Sequence, residues 1–122
     1  MNDVRLSGRV ASNPITRYSK NGDLITDFSL CVVKKFKKKD TDGHYPVEFY
    51  TINNYNELAE ICRDFIKKGT IVVIQGHLKK SKAEKTGQSY INIVSDKLEF
   101  YNTIEDVPIS DCNPEIGDVV LE

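Results

Sequence analysis

Residues 56–69, NELAEICRDFIKKG, are the one stretch of the chain in which apolar residues recur at helical spacing. They fall at positions i, i+3, i+4, i+7 and i+8 of a single face: Leu58, Ile61, Cys62, Phe65 and Ile66. Asn56 is suited to cap the start of this helix, and Gly69 is suited to end it in a left-handed conformation. Lys67 and Lys68 complement the negative end of the helix dipole. The stretch therefore predicts one amphipathic helix with a single apolar stripe.

Apolar residues elsewhere in the chain alternate with a period of two, which indicates strands. Val4, Leu6 and Val10 predict a first strand at about residues 3–11, and Phe28 and Leu30 share one face of a long second strand in residues 24–36. Residues 47–55, 70–82 and 89–101 predict the third, fourth and fifth strands. Residues 12–23 contain Asn-Pro and Asn-Gly pairs, so we interpret them as a loop or hairpin connection.

The position of the predicted helix decides the fold class. Five strands with one helix between the third and the fourth is the element order of the OB-fold, an all-β Greek-key barrel. Gly8 and Gly76 lie inside predicted strands, where a missing side chain often marks the sharp coiling of a small barrel. The fold alone specifies no ligand, because it hosts several functions.

Charge divides the chain into two parts. The 122 residues suffice for one domain, and all 17 basic residues lie in residues 1–101 together with 12 acids. Residues 102–122 hold six acids and no base. We therefore predict an OB-fold domain at residues 1–101 and an acidic C-terminal tail at residues 102–122. Such a tail either competes for the basic surface or recruits basic partners, although many proteins simply end in solvated acids.

The composition argues against several other classes. No apolar run approaches the ~20 residues of a membrane span, and the N-terminus has no signal segment, so we expect a cytoplasmic, nucleoid-associated protein without a membrane partner. Cys31, Cys62 and Cys112 lack metal-ligand spacing, and we expect Cys31 and Cys62 to be buried as small apolar residues. His44 and His77 belong to no catalytic motif. We expect no enzyme activity, no metal and no cofactor.

Basic and aromatic residues interleave near the predicted strand ends. In residues 32–40, VVKKFKKKD, Phe36 is surrounded by lysines, and Tyr18 follows Arg17. Phe49 and Tyr55 lie in the third predicted strand, and Lys85 lies in the loop between the fourth and fifth. Cations that follow phosphates and aromatic rings that stack on bases are what single-strand binding requires. The predicted nucleic-acid-binding residues are Phe36, Phe49, Tyr55, Arg17, Tyr18, Lys34, Lys35, Lys37, Lys38, Lys39, Lys68, Lys79, Lys80 and Lys82.

Three stretches carry a family resemblance: residues 2–32, residues 56–82 and residues 87–100. Their pattern of G-R in the first strand, P-x-x-R-Y-x-x-x-G, L-A-E before a helix ending in K-K-G, and G-x-L in a later strand resembles the bacterial single-stranded DNA-binding proteins. The resemblance implies an OB-fold that wraps single-stranded DNA without sequence preference. It also implies a homo-oligomer, with a tetramer favoured and a dimer possible, and an acidic tail that recruits replication and repair proteins.

Carried over by position, three of the family's four main stacking aromatics fall on Phe36, Phe49 and Tyr55, and the fourth falls on Ala83, which cannot stack. The chain has no tryptophan, and its end, EIGDVVLE, lacks the family's acidic residues followed by Pro-Phe. A chromosomal copy and a copy carried by a phage or mobile element would both fit these departures. A primosome-type adaptor with weak DNA binding is the alternative function, and an OB-fold enzyme or sugar binder is a third.

Overall fold

The computed structural model describes residues 1–34 and 45–101, which form one sheet and one helix. The strands are β1 (Val4–Val10), β2 (Ile15–Tyr18), β3 (Leu24–Val33), β4 (Val47–Tyr55), β5 (Ile71–Lys82) and β6 (Ser89–Tyr101), and α1 (Glu57–Phe65) lies between β4 and β5. Phe36, Lys35, Lys37, Lys38 and Lys39, as well as the predicted tail, lie outside the described residues.

The sheet closes into a barrel because β1 pairs with two strands. The strands are hydrogen-bonded in the order β1-β5-β6-β4-β3-β2, and β1 also pairs with β3 at Arg9 and Val10. The pairs are antiparallel except for β4 with β6, which run parallel. Five strands thus close the barrel with one helix between the third and fourth of them, so the predicted OB-fold is confirmed.

Residues 12–23, interpreted from the sequence as a loop or hairpin connection, contain the short strand β2. It pairs with β3 from Ile15 opposite Asp27 to Tyr18 opposite Leu24. The turn between them is closed by the Ser19 amide, which donates to the Asp23 carbonyl (2.9 Å), and Gly22 takes a positive φ of 88° there. The connection is therefore a hairpin that adds a short strand outside the barrel.

Gly8 and Gly76 permit the close approach of neighbouring strands. A Cβ atom on Gly8 would lie 2.1 Å from the Cys31 carbonyl oxygen, and one on Gly76 would lie 2.0 Å from the Val94 carbonyl oxygen. The register between β5 and β6 also shifts at Gly76. A larger residue at either position would push two barrel strands apart.

The barrel interior is lined by alternate residues of the strands, as the period of two predicts. Phe28 and Leu30 of β3 are fully buried, and Val32 packs against the same cluster. The remaining core residues come from the other barrel strands and the helix segment: Val10, Ile52, Cys62, Ile66, Val72, Ile74 and Ile93. Cys31 and Cys62 are buried as expected, and burial raises the pKa of the Cys62 thiol to about 12.

The helix is shorter than the sequence predicts. It ends at Phe65, because Ile66 already takes an extended conformation (φ −98°, ψ 136°) and inserts its side chain into the core. Asn56 precedes the helix with φ 53° and makes no side-chain cap; its amide lies 3.5 Å from the Asp23 carboxylate instead. Gly69 has the expected positive φ, but it lies in the connection to β5, where its amide donates to the Val10 carbonyl.

The predicted apolar stripe of the helix is only partly buried. Ala59 and Cys62 face the barrel, and the Ala59 carbonyl accepts a hydrogen bond from the Thr26 hydroxyl (2.9 Å). Ile61 and Phe65, which the spacing assigned to the stripe, are 36% and 60% exposed. Small residues at the contact let the helix approach the barrel end closely, so only a narrow part of its apolar face is covered.

Candidate nucleic-acid interface

The outer face of strands β3 and β4 carries two of the predicted stacking residues. Alternation along β4 points Tyr50 and Ile52 inward, so Phe49, Asn53 and Tyr55 share the outer face. Two residues of a strand span about 6.6 Å, so Phe49 and Tyr55 lie about 20 Å apart. That length offers room for several nucleotides along one strand of the barrel.

A groove of about 280 Å³ opens around Tyr55. The hairpin of β2 and β3 forms one wall, the β5–β6 hairpin forms the other, and β4 forms the floor. Its lining includes Arg17, Asn53, Tyr55, Lys79, Ser81 and Tyr90. The structure therefore brings together three residues predicted from distant parts of the sequence: Arg17, Tyr55 and Lys79.

Lys79 contacts Tyr55 at the edge of its ring. The ammonium Nζ lies 3.1 Å from the Tyr55 hydroxyl oxygen and 5.4 Å from the ring centroid. The distance from Nζ to the ring centroid is only slightly shorter than the sum of the centroid-to-hydroxyl distance and the Nζ-to-hydroxyl distance. The Lys79 ammonium therefore lies beyond the hydroxyl rather than above the ring.

Arg17 is anchored on the groove side of β2. Its Nε atom donates to Asp27 Oδ2 (2.7 Å), and Asn53 Nδ2 donates to the other oxygen of the same carboxylate (2.5 Å). Asp27 is 4% exposed, whereas the Arg17 side chain is 46% exposed. The pairing thus holds a partly exposed guanidinium at the groove from below.

The two groove walls are joined by an ion pair at their tips. Lys20 Nζ, in the β2–β3 turn, lies 2.9 Å from Glu84 Oε1, in the β5–β6 turn. Their mutual hydrogen bond raises the pKa of Lys20 and lowers that of Glu84. Both side chains are exposed, and such pairs contribute little to stability.

Phe49 is only partly open to a ligand. It packs with Val33 and Val47 against Ala11 and Cys31, which are buried beneath it on the outer face. Part of the ring therefore belongs to this small apolar cluster, and the remainder is accessible.

Tyr18 and Lys34 point away from the groove residues. Tyr18 alternates with Arg17 along β2, so it lies on the helix side, where it is 72% exposed. Lys34 forms an ion pair with Glu48, whose pKa is lowered by that contact and by the Tyr50 hydroxyl. Neither residue lines the groove around Tyr55.

The other predicted lysines spread along the β5–β6 hairpin and beyond it. Lys80 alternates with Lys79 and faces away from the groove, opposite Ile91. Lys82 and Lys85 line a second hollow of about 620 Å³ at the hairpin tip, which shares Tyr90 with the groove. Lys68 is exposed in the connection after α1, outside the groove lining.

Sequence reasoning missed seven of the residues that line the groove, among them Asn53, Ser81 and Tyr90. It also missed Asp27, which binds Arg17 and Asn53 beside the groove. Tyr90 carried a usable signal, since it is an aromatic residue beside the lysine-rich loop. Asp27 and Asn53 carried none, because a buried polar pair becomes visible only when the register of β3 and β4 places them opposite one another.

The described residues contain neither a candidate metal cluster nor a membrane-spanning helix. Within residues 1–34 and 45–101, no group of three or more His, Cys, Asp or Glu side chains could hold a metal ion. Across the same two ranges, no helix is long and apolar enough to span a bilayer.

Comparison with known proteins gives a consistent result. A family model described as "Single-strand binding protein family" matches residues 1–101. The chain is 25% identical over 118 residues to a single-stranded DNA-binding protein of Thermotoga maritima, covering 94% of this chain and 84% of that protein. It is 24% identical over 104 residues to one of Aquifex aeolicus, covering 84% and 71%.

The structure is also similar to a solved one. The crystal structure of the wild-type single-stranded DNA binding protein from Thermus aquaticus superposes with a TM-score of 0.70 at 22% identity. The match covers 84% of this chain and 50% of the other, so the chain spans half the length of that protein. At this identity the likeness establishes the barrel fold.

Proposed function

Because the chain belongs to the single-strand binding protein family, we propose that it binds single-stranded DNA with little sequence preference. It coats and protects strands that are exposed during replication, recombination and repair. It acts by binding alone, without catalysis, in the cytoplasm and in association with the nucleoid.

The observation that carries this proposal is the groove in which Arg17, Tyr55 and Lys79 converge. The two cations neutralise phosphates, and the exposed part of the half-buried Tyr55 ring stacks on a base. A stacked base is worth roughly 1–3 kcal/mol whatever its identity, because every base has a π face. Cations and an aromatic ring within one groove therefore support binding without sequence readout.

The bound strand follows a path along the outer face of the barrel. Tyr90 lines both the groove and the hollow at the β5–β6 tip, and Phe49 lies on the same face of β4 as Tyr55. Lys82 and Lys85 border the tip. We propose that the strand runs from the Phe49 region through the groove toward the β5–β6 tip, with Phe36 and its flanking lysines as further contacts.

A homo-oligomer, with a tetramer favoured and a dimer possible, is supported by the edge of β1. Among the described residues, Val4 to Gly8 pair with β5 on one side only, and β3 joins the other side from Arg9 onward. An open edge presents unpaired backbone groups that a second copy can pair with. Multi-angle light scattering tests this, and a monomer at micromolar concentration would contradict it.

Recruitment of replication or repair proteins by residues 102–122 is also a proposal, supported by the six acids of that segment. Acidic segments attract basic partner surfaces. Loss of partner capture on deletion of the segment would support it, and unchanged capture would contradict it.

The function is tested by titrating poly(dT) into the protein and following tyrosine fluorescence, since the chain has six tyrosines and no tryptophan. We expect quenching with a site size of tens of nucleotides per oligomer and much weaker binding to a duplex of equal length. Absence of binding at low salt would contradict the proposed function and favour the adaptor alternative.

A further inference from the structure

Asp27 is an acidic residue at a site that binds a polyanion. Its carboxylate is almost fully buried next to the groove, where an acid would be expected to repel phosphates. Burial of a charged carboxylate is costly unless it is paired and hydrogen-bonded. Both of its oxygens are in fact used, one by Arg17 and the other by Asn53.

The atoms that make these contacts determine what the pairing does. Arg17 contacts Asp27 through Nε, so within the part of the chain that the structure describes the two terminal nitrogens of the guanidinium are left for another ligand. Arg17 belongs to β2, a four-residue strand whose side chains are all exposed, whereas Asp27 belongs to the barrel strand β3. Asp27 thus fixes the orientation of a side chain that would otherwise sample many rotamers.

Resting on the proposed binding of single-stranded DNA, we propose that Asp27 is a positioning residue that acts through Arg17. The carboxylate holds the guanidinium by Nε, and the terminal nitrogens bind a phosphate of the strand, for which the planar fork of arginine is well shaped. Asn53 completes the arrangement by donating to the second carboxylate oxygen.

The proposal predicts that removing the charge of Asp27 changes DNA affinity in the direction opposite to that expected from charge alone. Removing a negative charge from the binding face should strengthen DNA binding if charge alone matters. Removing the charge of Asp27 should instead weaken binding, because Arg17 loses its orientation. Asp23 provides the matched comparison, since it lines the same groove and its carboxylate accepts from the neutral Asn56 amide.

The experiment measures the affinity of the full chain for oligo(dT) across a range of salt concentrations. We expect Asp27→Asn to weaken binding about tenfold at low salt. The slope of log K against log salt should fall in magnitude by about 0.7, the value for one lost phosphate contact on a single strand. We expect Asp23→Asn to tighten binding by about twofold. Tighter binding by Asp27→Asn, or an unchanged slope, would overturn the proposal.

A double-mutant cycle separates positioning from general damage to the fold. In an Arg17→Ala background, Asp27→Asn should no longer weaken binding, because the residue through which it acts is gone. An equal loss in both backgrounds would overturn the proposal. Arg17→Lys supplies a test that leaves Asp27 intact: it keeps the charge but loses the fork, and it should lose affinity as Arg17→Ala does. Wild-type affinity of Arg17→Lys would contradict the proposal.

These outcomes are distinguishable from failure of the proposed function. If the wild-type protein does not bind oligo(dT), the function itself is wrong. If the wild type binds and Asp27→Asn binds more tightly, only the role of Asp27 is wrong.

Discussion

Lys79 Nζ lies 3.1 Å from the Tyr55 hydroxyl oxygen, at the rim of the ring rather than above it. The contact joins β5 to β4 across the groove and places a cation at the edge of a half-buried aromatic ring. A base stacked on Tyr55 would bring its own phosphate close to Lys79. We therefore propose that the two side chains bind one nucleotide together.

Tyr55→Ala should weaken binding of oligo(dT) by about 1–3 kcal/mol, the value of one base stack. Thermal stability should change much less, since Tyr55 is only half-buried. Tyr101→Ala is the matched control, because Tyr101 is exposed at the end of β6 opposite Ile71, outside the groove. Equal losses for the two variants would argue against a platform at Tyr55.

Phe49→Ala should lower both affinity and stability, because the ring packs on Ala11 and Cys31 while part of it remains accessible. Its partial burial suggests a loss of about 2 kcal/mol in the free energy of unfolding, below the range for a fully buried phenylalanine. Chemical denaturation and DNA titration of the same variant check the two effects.

Phe36→Ala tests the stacking residue that was predicted from the sequence and lies outside the described residues. We expect weaker binding with nearly unchanged thermal stability, because the lysines around Phe36 in the sequence predict a solvent-facing stacking platform, which would contribute to the complex and little to the core. A collapse of the unfolding temperature would make Phe36 a core residue instead.

Lys79→Gln should reduce the slope of log K against log salt by about 0.7, the contribution of one neutralised phosphate on a single strand. Lys34→Gln should reduce it less, because Lys34 is already paired with Glu48. Lys97→Gln serves as the control, since Lys97 lies opposite Gln75, outside the groove. Identical slopes for all three would mean that the groove does not follow the DNA backbone.

The free energy of unfolding should depend on pH through the ionisation of Glu48. The Lys34 ammonium, and then the Tyr50 hydroxyl, hold the pKa of Glu48 below its ordinary value of 4.5. Because the pKa of Glu48 is lower in the folded state, its ionised carboxylate stabilises the fold at pH values above its pKa in the unfolded state. This contribution is lost as the pH falls through its pKa in the folded state. The stability difference between wild type and Glu48→Gln should therefore shrink below about pH 4.5. Lys34→Met should make the free energy of unfolding less dependent on pH in the same range. Parallel curves of unfolding free energy against pH for the wild type and Glu48→Gln would contradict a contribution of Glu48.

Removal of all residues after Asn102 should leave the barrel folded and its oligomeric state intact. It should tighten DNA binding at low salt by taking away six acids. The gain should shrink as ionic strength rises, because the Debye length falls to about 8 Å at physiological salt. Dissociation or a lower unfolding temperature of the truncated protein would identify the segment as structural.

The sequence by itself determined the fold class, and it predicted three residues that the structure brings together in one groove. Alternation placed Phe28, Leu30 and Val32 inside the barrel, and the one stretch of helical spacing placed α1 between the third and fourth barrel strands. Arg17, Tyr55 and Lys79 were predicted as binding residues from their chemistry and the family pattern, and the structure brings all three to one groove. These inferences depend on local spacing and residue type, which are written along the chain.

The tertiary structure alone decided which of these side chains meet. Arg17 and Tyr18 are neighbours in sequence but lie on opposite sides of β2, and Ile61 and Phe65 share the helical stripe yet stay exposed. Asp27, 26 residues before Asn53, becomes its partner through the register of β3 and β4. Periodicity records which way a side chain points relative to its own strand or helix. Contact across the groove depends on strand register and barrel closure, which are set by packing between segments far apart in sequence.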